Sequence, residues 1–241
     1  MAIFNYSFRV DLTDVSEDNK MTNPAILKYF QEAGALHSDH IGLGNNDIPT
    51  THLSWILLNW KLQVLKRPIW NTNITVHTWC HHTEKFHTYR DFEMYDDKQN
   101  LVAIASSKWV LLNTETQKIA KIDPELIVKY QPEEKKAFSV FPEKLKEPEQ
   151  YSIQKEFEVQ RKDIDTNHHV NNISYLKFAY EIIPLQLLKK DFSQVEIMYK
   201  KATRYGEDYM VSFYQESETI CWVTIKSPDL SVLHATIRLE I

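Results

Sequence analysis

Residues 8–32 read FRVDLTDVSEDNKMTNPAILKYFQE, and residues 157–181 read FEVQRKDIDTNHHVNNISYLKFAYE. Laid over each other without gaps, at an offset of 149, they share seven identities: Phe8/Phe157, Val10/Val159, Asp14/Asp163, Asn23/Asn172, Leu27/Leu176, Lys28/Lys177 and Glu32/Glu181. Typical residue frequencies would give about one or two by chance. The similar pairs Val15/Ile164, Met21/Val170 and Tyr29/Phe178 fall between them. Self-similarity at a fixed offset marks copies of one supersecondary unit. Each copy reads as a strand, a polar loop and a helix, followed by a run of strands. The second helix, about Asn172 to Lys189, is apolar on most sides, and such a helix is buried. Pro184 is expected to kink or shorten it. The fold expected is α+β, with each unit an antiparallel sheet wrapped around a central helix.

Working outward, Phe4 to Asp11 is expected as a strand. Thr22-Asn23-Pro24 supplies a cap and an early proline, so a helix starts there and runs to about His40. A strand-rich stretch spans about His52 to Leu112. Its breaks fall at Pro68, Asn71-Thr-Asn73, Thr83-Glu-Lys85 and Asp96-Asp-Lys98, where Asn and Asp supply turns. Residues 114–150 carry Pro124, Pro132, Pro142 and Pro148 among many Lys and Glu, and read as a connector. A short helix is expected near Pro124 to Tyr130, and a strand returns at Ile153 to Gln160. The division expected is 1–130, a linker at 131–150, and 151–241.

Composition excludes several classes. The chain has 241 residues and a formal net charge of -5, which argues against generic nucleic-acid binding. It has four glycines, so neither a Walker A loop nor GxGxxG can be assembled. No GxSxG elbow is present, which argues against a serine α/β-hydrolase. No apolar run of membrane-spanning length occurs, and Met1 to Val10 lacks the apolar region of a signal peptide. Two cysteines, Cys80 and Cys221, make no disulfide framework and suit a cytoplasmic setting. They read as small buried hydrophobes. Cys80-His81-His82 with His87 superficially suggests a metal site. Strand neighbours point to opposite faces, however, and the spacing fits no zinc pattern, so no metal and no cofactor are expected.

The chemistry concentrates in Arg161 to Asn172. Asp165, Asn167 and His169 alternate, and in extended chain they would share one side, roughly 6–7 Å apart. They lie just ahead of a helix N-terminus, which favours negative charge. An imidazole can move protons near neutral pH, a carboxylate can orient or activate, and amides can hold an oxyanion. A helix cap or Asx turn is the plainer reading of such a loop. Against it, the first copy keeps the scaffold but has Ser16, Asp18 and Lys20 at the matching places. A purely structural trio should have persisted in both.

The chain resembles the acyl-acyl-carrier-protein thioesterases, whose fold is a tandem hotdog. In the first half the resemblance rests on His52-Leu-Ser-Trp55, Arg67-Pro-Ile-Trp-Asn71, Tyr89-Arg-Asp-Phe92, Ala105 to Asn113 and Lys118 to Pro124. In the second it rests on Asp165-x-Asn167-x-His169-Val-Asn-Asn172 and Tyr199-Lys-Lys-x-x-x-Tyr-Gly206. It implies a first hotdog that shapes an acyl tunnel and a second that carries the catalytic Asp165, Asn167 and His169. The implied reaction is hydrolysis of the acyl-carrier thioester to free fatty acid, which ends fatty acid synthesis. Attack is expected from water, with backbone N–H groups near Val170 and Asn171 polarising the carbonyl. Family members usually add a glutamate, and plant members a neighbouring cysteine, where this chain has Ala202 and Thr203. Matching Trp60-Lys-Leu-Gln63 to Tyr199-Lys-Lys-Ala202 puts Gln63 at the first-half counterpart of Ala202.

The expected partners are an acyl carrier protein and a fatty acyl thioester, with no nucleic acid and no membrane. Lys61, Lys66 and Arg67 in one half, and Lys200, Lys201 and Arg204 in the other, form basic clusters. Lys200, Lys201 and Arg204 are the candidates for docking an acidic carrier. Two hotdogs in one chain can pair as a dimer would, so a monomer with an internal pseudo-dimer, or a homodimer, is expected. Acyl-coenzyme A hydrolysis and acyl binding with weakened catalysis are the alternative readings.

Overall fold

The computed structural model describes residues 2–141 and 144–241. The chain divides into two compact units, Met1–Phe141 and Pro142–Ile241. The first contains β1 (Phe4–Arg9), α1 (Asn23–His40), α2 (Ile48–Thr51), β2 (Leu53–Val64), β3 (Asn73–Thr83), β4 (Thr88–Tyr95), β5 (Leu101–Asn113), β6 (Lys118–Ala120) and α3 (Pro124–Val128). Its strands pair antiparallel in the order β1-β3-β4-β5-β2, with β6 added to β5.

The second unit contains β7 (Ile153–Glu158), α4 (Asn172–Tyr180), α5 (Leu185–Leu188), β8 (Gln194–Tyr199), β9 (Asp208–Gln215), β10 (Ile220–Lys226) and β11 (Leu233–Glu240). The order β7-β9-β10-β11-β8 repeats that of the first unit strand for strand. The duplication read from residues 8–32 therefore extends through both sheets.

Each helix is held by its sequence. Thr22 accepts the Ala25 N–H through its hydroxyl, and Pro24 sits in the first turn, where no N–H is needed. Ile26, Leu27, Phe30 and Ala33 are fully buried on the face that meets the sheet. Phe30 lies against Phe92, and Phe92 against Trp60. Burying each large side chain contributes about 1.5–3 kcal/mol. Gly34 lies where Arg90 crosses the helix, and an added Cβ would meet the arginine Cδ at 3.3 Å, a tight contact that the side chain would have to relieve. In the second unit Asn171 caps α4 by accepting the Ile173 N–H. Ile173, Tyr175, Leu176, Phe178 and Ala179 are all buried.

Two expectations change here. The second helix is not continuous from Asn172 to Lys189: α4 ends at Tyr180 and Pro184 caps the separate α5. The proline has no N–H for a continuing ladder, so the chain turns before restarting. Residues 131–141, expected as part of a connector, carry no helix or strand yet are fastened to the first unit. Glu133 N–H donates to Cys80 O, Trp79 Nε1 to Lys135 O at 2.7 Å, and Ala137 N–H to Asp91 Oδ2 at 2.7 Å. Lys135 pairs with Glu93 at 2.6 Å, and His81 lies 3.0 Å from Asp91. Exposed proline-rich composition hid these contacts, because the partners come from distant strands.

Candidate active site

The loop between β7 and α4 is a tight hairpin. Ile164 bridges Val170, Asp165 N–H donates to His169 O at 2.8 Å, and His168 N–H donates to Asp165 O at 3.1 Å. His168 takes a left-handed backbone, with φ of 60°. The stretch from Asp165 to His169 is thus a turn, not the extended chain in which three alternating side chains would share one side. Asp165 Oδ1 accepts the Asn167 N–H at 2.8 Å and the His169 N–H at 3.4 Å. This is the Asx turn anticipated by the plainer reading. Its Oδ2 accepts from no described residue. Asp165 and His169 are half-buried, and Asn167 is exposed.

The loop is locked to the segment after β8. Val170 N–H donates to Thr203 O at 2.8 Å, and Asn171 N–H to Asp163 O at 2.7 Å. An amide has one proton, so neither Val170 nor Asn171 has an N–H free to hold an oxyanion, and that expectation is corrected. Asn172 N–H, the first of α4, donates to no described residue, as helix geometry requires of a leading amide.

Thr203 and Tyr175 form the buried floor. Thr203 N–H donates to Tyr175 Oη at 3.1 Å, and the two hydroxyls lie 3.0 Å apart. Burial raises the Tyr175 phenol above its ordinary range. The hydrogen bonds from Thr203 oppose this, and the Glu207 and Asp165 carboxylates reinforce it. Tyr199 Oη donates to Asn172 O at 2.9 Å. Ala202 is exposed. Tyr175 and Glu207 escaped sequence reasoning: a tyrosine on an apolar helix face reads as core, and Glu207 lies in a turn with no motif.

The basic clusters separate on inspection. Lys200 and Lys201 are exposed and make no ion pair among the described residues. Arg204 instead turns its Nε–H to His169 Nε2 at 3.4 Å. In the first unit Lys61 lies over Phe138 and donates to Val140 O, while Arg67 donates to Met21 O and Asn23 Oδ1. Among the described residues no group of three or more His, Cys, Asp or Glu could hold a metal. Cys80 Sγ lies 3.0 Å from Thr88 Oγ1, while His82 and His87 both turn toward Glu84.

Gln63 is not the counterpart of Ala202. Gln63 lies inside β2, opposite Ile104. The strand ends match instead: Val64 pairs with Ala103 before Leu65 N–H donates to Val102 O, as Tyr199 pairs with Ala235 before Lys200 N–H donates to His234 O. Counting from those ends, Ala202 corresponds to Arg67. Trp60 and Tyr199 are both aromatic, but they stand at different places in their strands, Trp60 opposite Ser107 inside β2 and Tyr199 at the end of β8.

Over nearly its full length the structure is similar to two solved structures. An acyl-ACP thioesterase from Bacteroides thetaiotaomicron gives a TM-score of 0.89 at 21% identity, covering 99% of this chain and 97% of that one. The 12:0-ACP thioesterase from Umbellularia californica gives 0.86 at 18%, covering 100% and 97%. The fold is therefore the tandem hotdog, two sheet-and-helix units in one chain. Residues 2–130 match the model of the acyl-ACP thioesterase N-terminal domain, and residues 146–229 that of the C-terminal domain. The chain belongs to the acyl-ACP thioesterase family. Among curated relatives, oleoyl-acyl carrier protein thioesterase 1 of Arabidopsis thaliana is 28% identical over 212 residues, covering 80% of this chain and 58% of the relative. Its counterpart from Coriandrum sativum is 25% identical over 223 residues, covering 85% and 60%. The chain thus spans about three fifths of the length of these relatives. Among the described residues no helix is long and apolar enough to cross a membrane.

Proposed function

We propose that the protein hydrolyses acyl-acyl-carrier-protein thioesters, releasing fatty acid and carrier within fatty acid biosynthesis. Family membership across both domains supports this. The observation that carries it is the Asp165–His169 hairpin on the leading end of α4, with chemistry the first unit lacks. Asp165, Asn167 and His169 are the catalytic residues of this reading. Asp165 Oδ2 orients the attacking water, since Oδ1 is occupied in the turn. His169 carries the proton, and the Asn167 side chain with the Asn172 N–H polarises the thioester carbonyl. Lys200 and Lys201 attract the acidic carrier. The first unit, residues 1–130 with the segment fastened behind it, shapes the acyl tunnel. Two free, buried cysteines suit a reducing compartment such as the cytoplasm. In this reading two hotdogs in one chain serve as a dimer would, as a monomer or as a homodimer.

Ala202 favours a second reading, acyl binding with weakened hydrolysis, because the expected carboxylate is missing. Single-turnover hydrolysis with carrier-bound and coenzyme-A-bound acyl chains separates the readings. Release from the carrier substrate, with loss of about 10²–10⁴-fold in Asp165→Ala, is expected. Binding without product would support the second reading, and preference for coenzyme A would redirect the substrate. Ala202→Glu should accelerate hydrolysis; an unchanged rate would mean that the missing glutamate is immaterial here.

A further inference from the structure

The contact between Arg204 and His169 belongs to neither the turn nor the carrier-docking cluster. The two residues face each other across a short antiparallel register. Val170 N–H donates to Thr203 O, so His169 and Arg204 flank that bond on facing loop segments. The first unit has the same arrangement, with Met21 N–H on Pro68 O and an antiparallel bridge between Lys20 and Ile69. There the cross-strand pair is Lys and Ile. Lys20 turns away to Asp18 at 2.7 Å, and Ile69 has nothing to donate. Only the unit with the Asp, Asn and His loop places a guanidinium against that position.

Arg204 is held for this task by its own turn. Its N–H donates to Glu207 Oε2 at 2.9 Å, its carbonyl accepts the Glu207 N–H, and Gly206 takes a φ of +82° that a side chain would resist. The Nε–H then reaches His169 Nε2. A guanidinium keeps its proton, so Nε2 must be the acceptor. In a neutral ring the proton is then on Nδ1.

We propose that Arg204 is a positioning residue that holds His169 as the neutral Nδ1–H tautomer. The ring then meets the reacting thioester as an Nδ1–H hydrogen-bond donor. With Nε2 turned to a guanidinium that keeps its proton, it takes up no proton while this contact holds, so the tautomer narrows the role given to His169 above from carrying a proton to holding the carbonyl oxygen. The inference rests on the functional reading above for its effect on rate, but the tautomer itself does not.

The test combines ring-nitrogen NMR of His169 with hydrolysis kinetics on the full chain, for the wild type, Arg204→Met and Arg204→Lys. Arg204→Met keeps the apolar stem and removes every donor. Its His169 resonances should move from the Nδ1–H pattern toward Nε2–H. Its kcat should fall about tenfold, within the range of one lost hydrogen bond to a working group. KM for a small acyl thioester should stay unchanged, and Arg204→Lys, which keeps a donor, should recover part of both. An unaltered His169 spectrum in Arg204→Met would overturn the proposal. So would a rise in KM for the carrier substrate alone, which would return Arg204 to the docking surface. Full hydrolysis by His169→Ala would instead sink the functional reading, leaving the tautomer result intact.

Discussion

Residues 15–21 and 164–170 fold into the same hairpin and hold different chemistry. Both close with a bridge, Val15 to Met21 and Ile164 to Val170. Both turn through a left-handed residue, Asn19 and His168, each with φ of 60°. Both place an aspartate, Asp14 or Asp163, under the loop as the acid of a capping box. The repeated identities are therefore the residues that build the turn and seat the helix. At the variable positions the first unit closes on itself, with Ser16 bonded to Asp18 and Asp18 paired to Lys20. These contacts hold the Asp18 carboxyl down at about 2, with the Lys20 and Ser16 side chains as the leading causes. Among the described residues, the second unit leaves Asp165 Oδ2 and the Asn172 N–H without a partner. One scaffold thus serves as a self-satisfied corner in one copy and as the candidate site in the other.

The largest effect that could break this comparison lies in the loops. Asp165→Ala should abolish nearly all hydrolysis, a loss of about 10²–10⁴-fold, while Ser16→Ala should leave the rate unchanged. Equal loss from both would show that the first loop is not inert. Urea unfolding probes the shared foundation. Asp14 is buried and accepts from Lys28, from Tyr29 at 2.6 Å and from the Asp11 N–H. Asp14→Ala should destabilise by about 1–3 kcal/mol, because it strands a buried phenol. Asp163 has Phe178 where Asp14 meets Tyr29, so Asp163→Ala should lose only its cap, about 1 kcal/mol. The reverse order would mean that the two aspartates do not have matched roles.

Charge reversal sharpens the contrast between the basic clusters. Lys200→Glu with Lys201→Glu should raise KM for the carrier substrate about tenfold without affecting a small acyl thioester. Lys61→Glu should change KM far less, since Lys61 is tied to the segment behind the first sheet. The smallest effect concerns the thiols. Burial pushes Cys221 up to about 12, so at pH 8 it is almost wholly the unreactive thiol. Native protein treated with iodoacetamide at that pH should keep its activity, and mass spectrometry should find Cys221 unlabelled.

Much of the fold was legible because its signals are local. Thr22 and Pro24 mark the helix start, and the expected breaks place Asn71, Glu84 and Asp96 between the observed strands, with Thr83 itself the last residue of β3. Asn71, with φ of 66°, stands where the second unit uses Gly206, so glycine scarcity did not prevent the same turn. The break after Tyr180 was legible in Pro184, though not its place. The site was legible only as residue types. The Asx turn of Asp165 was open to a sequence reading as the plainer alternative, but the alternating spacing of Asp165, Asn167 and His169 did not choose between that turn and an extended chain. Nor could it indicate that the Val170 amide is taken by Thr203, because that acceptor is set by the register of the loop against the chain after β8.

The sequence by itself determined that the protein is a duplication, that each copy is a helix embraced by antiparallel strands, and that only the second carries an acid, an amide and an imidazole before its helix. Periodicity, capping and identity at a fixed offset are properties of the chain and need no neighbour. The tertiary structure decided which amides are free, that Ala202 corresponds to Arg67 and not Gln63, and that Arg204 faces His169 and not solvent alone. Each of these depends on which strand lies opposite which. A hydrogen bond extends about 3 Å, so its partner is chosen by packing, whatever the distance along the chain.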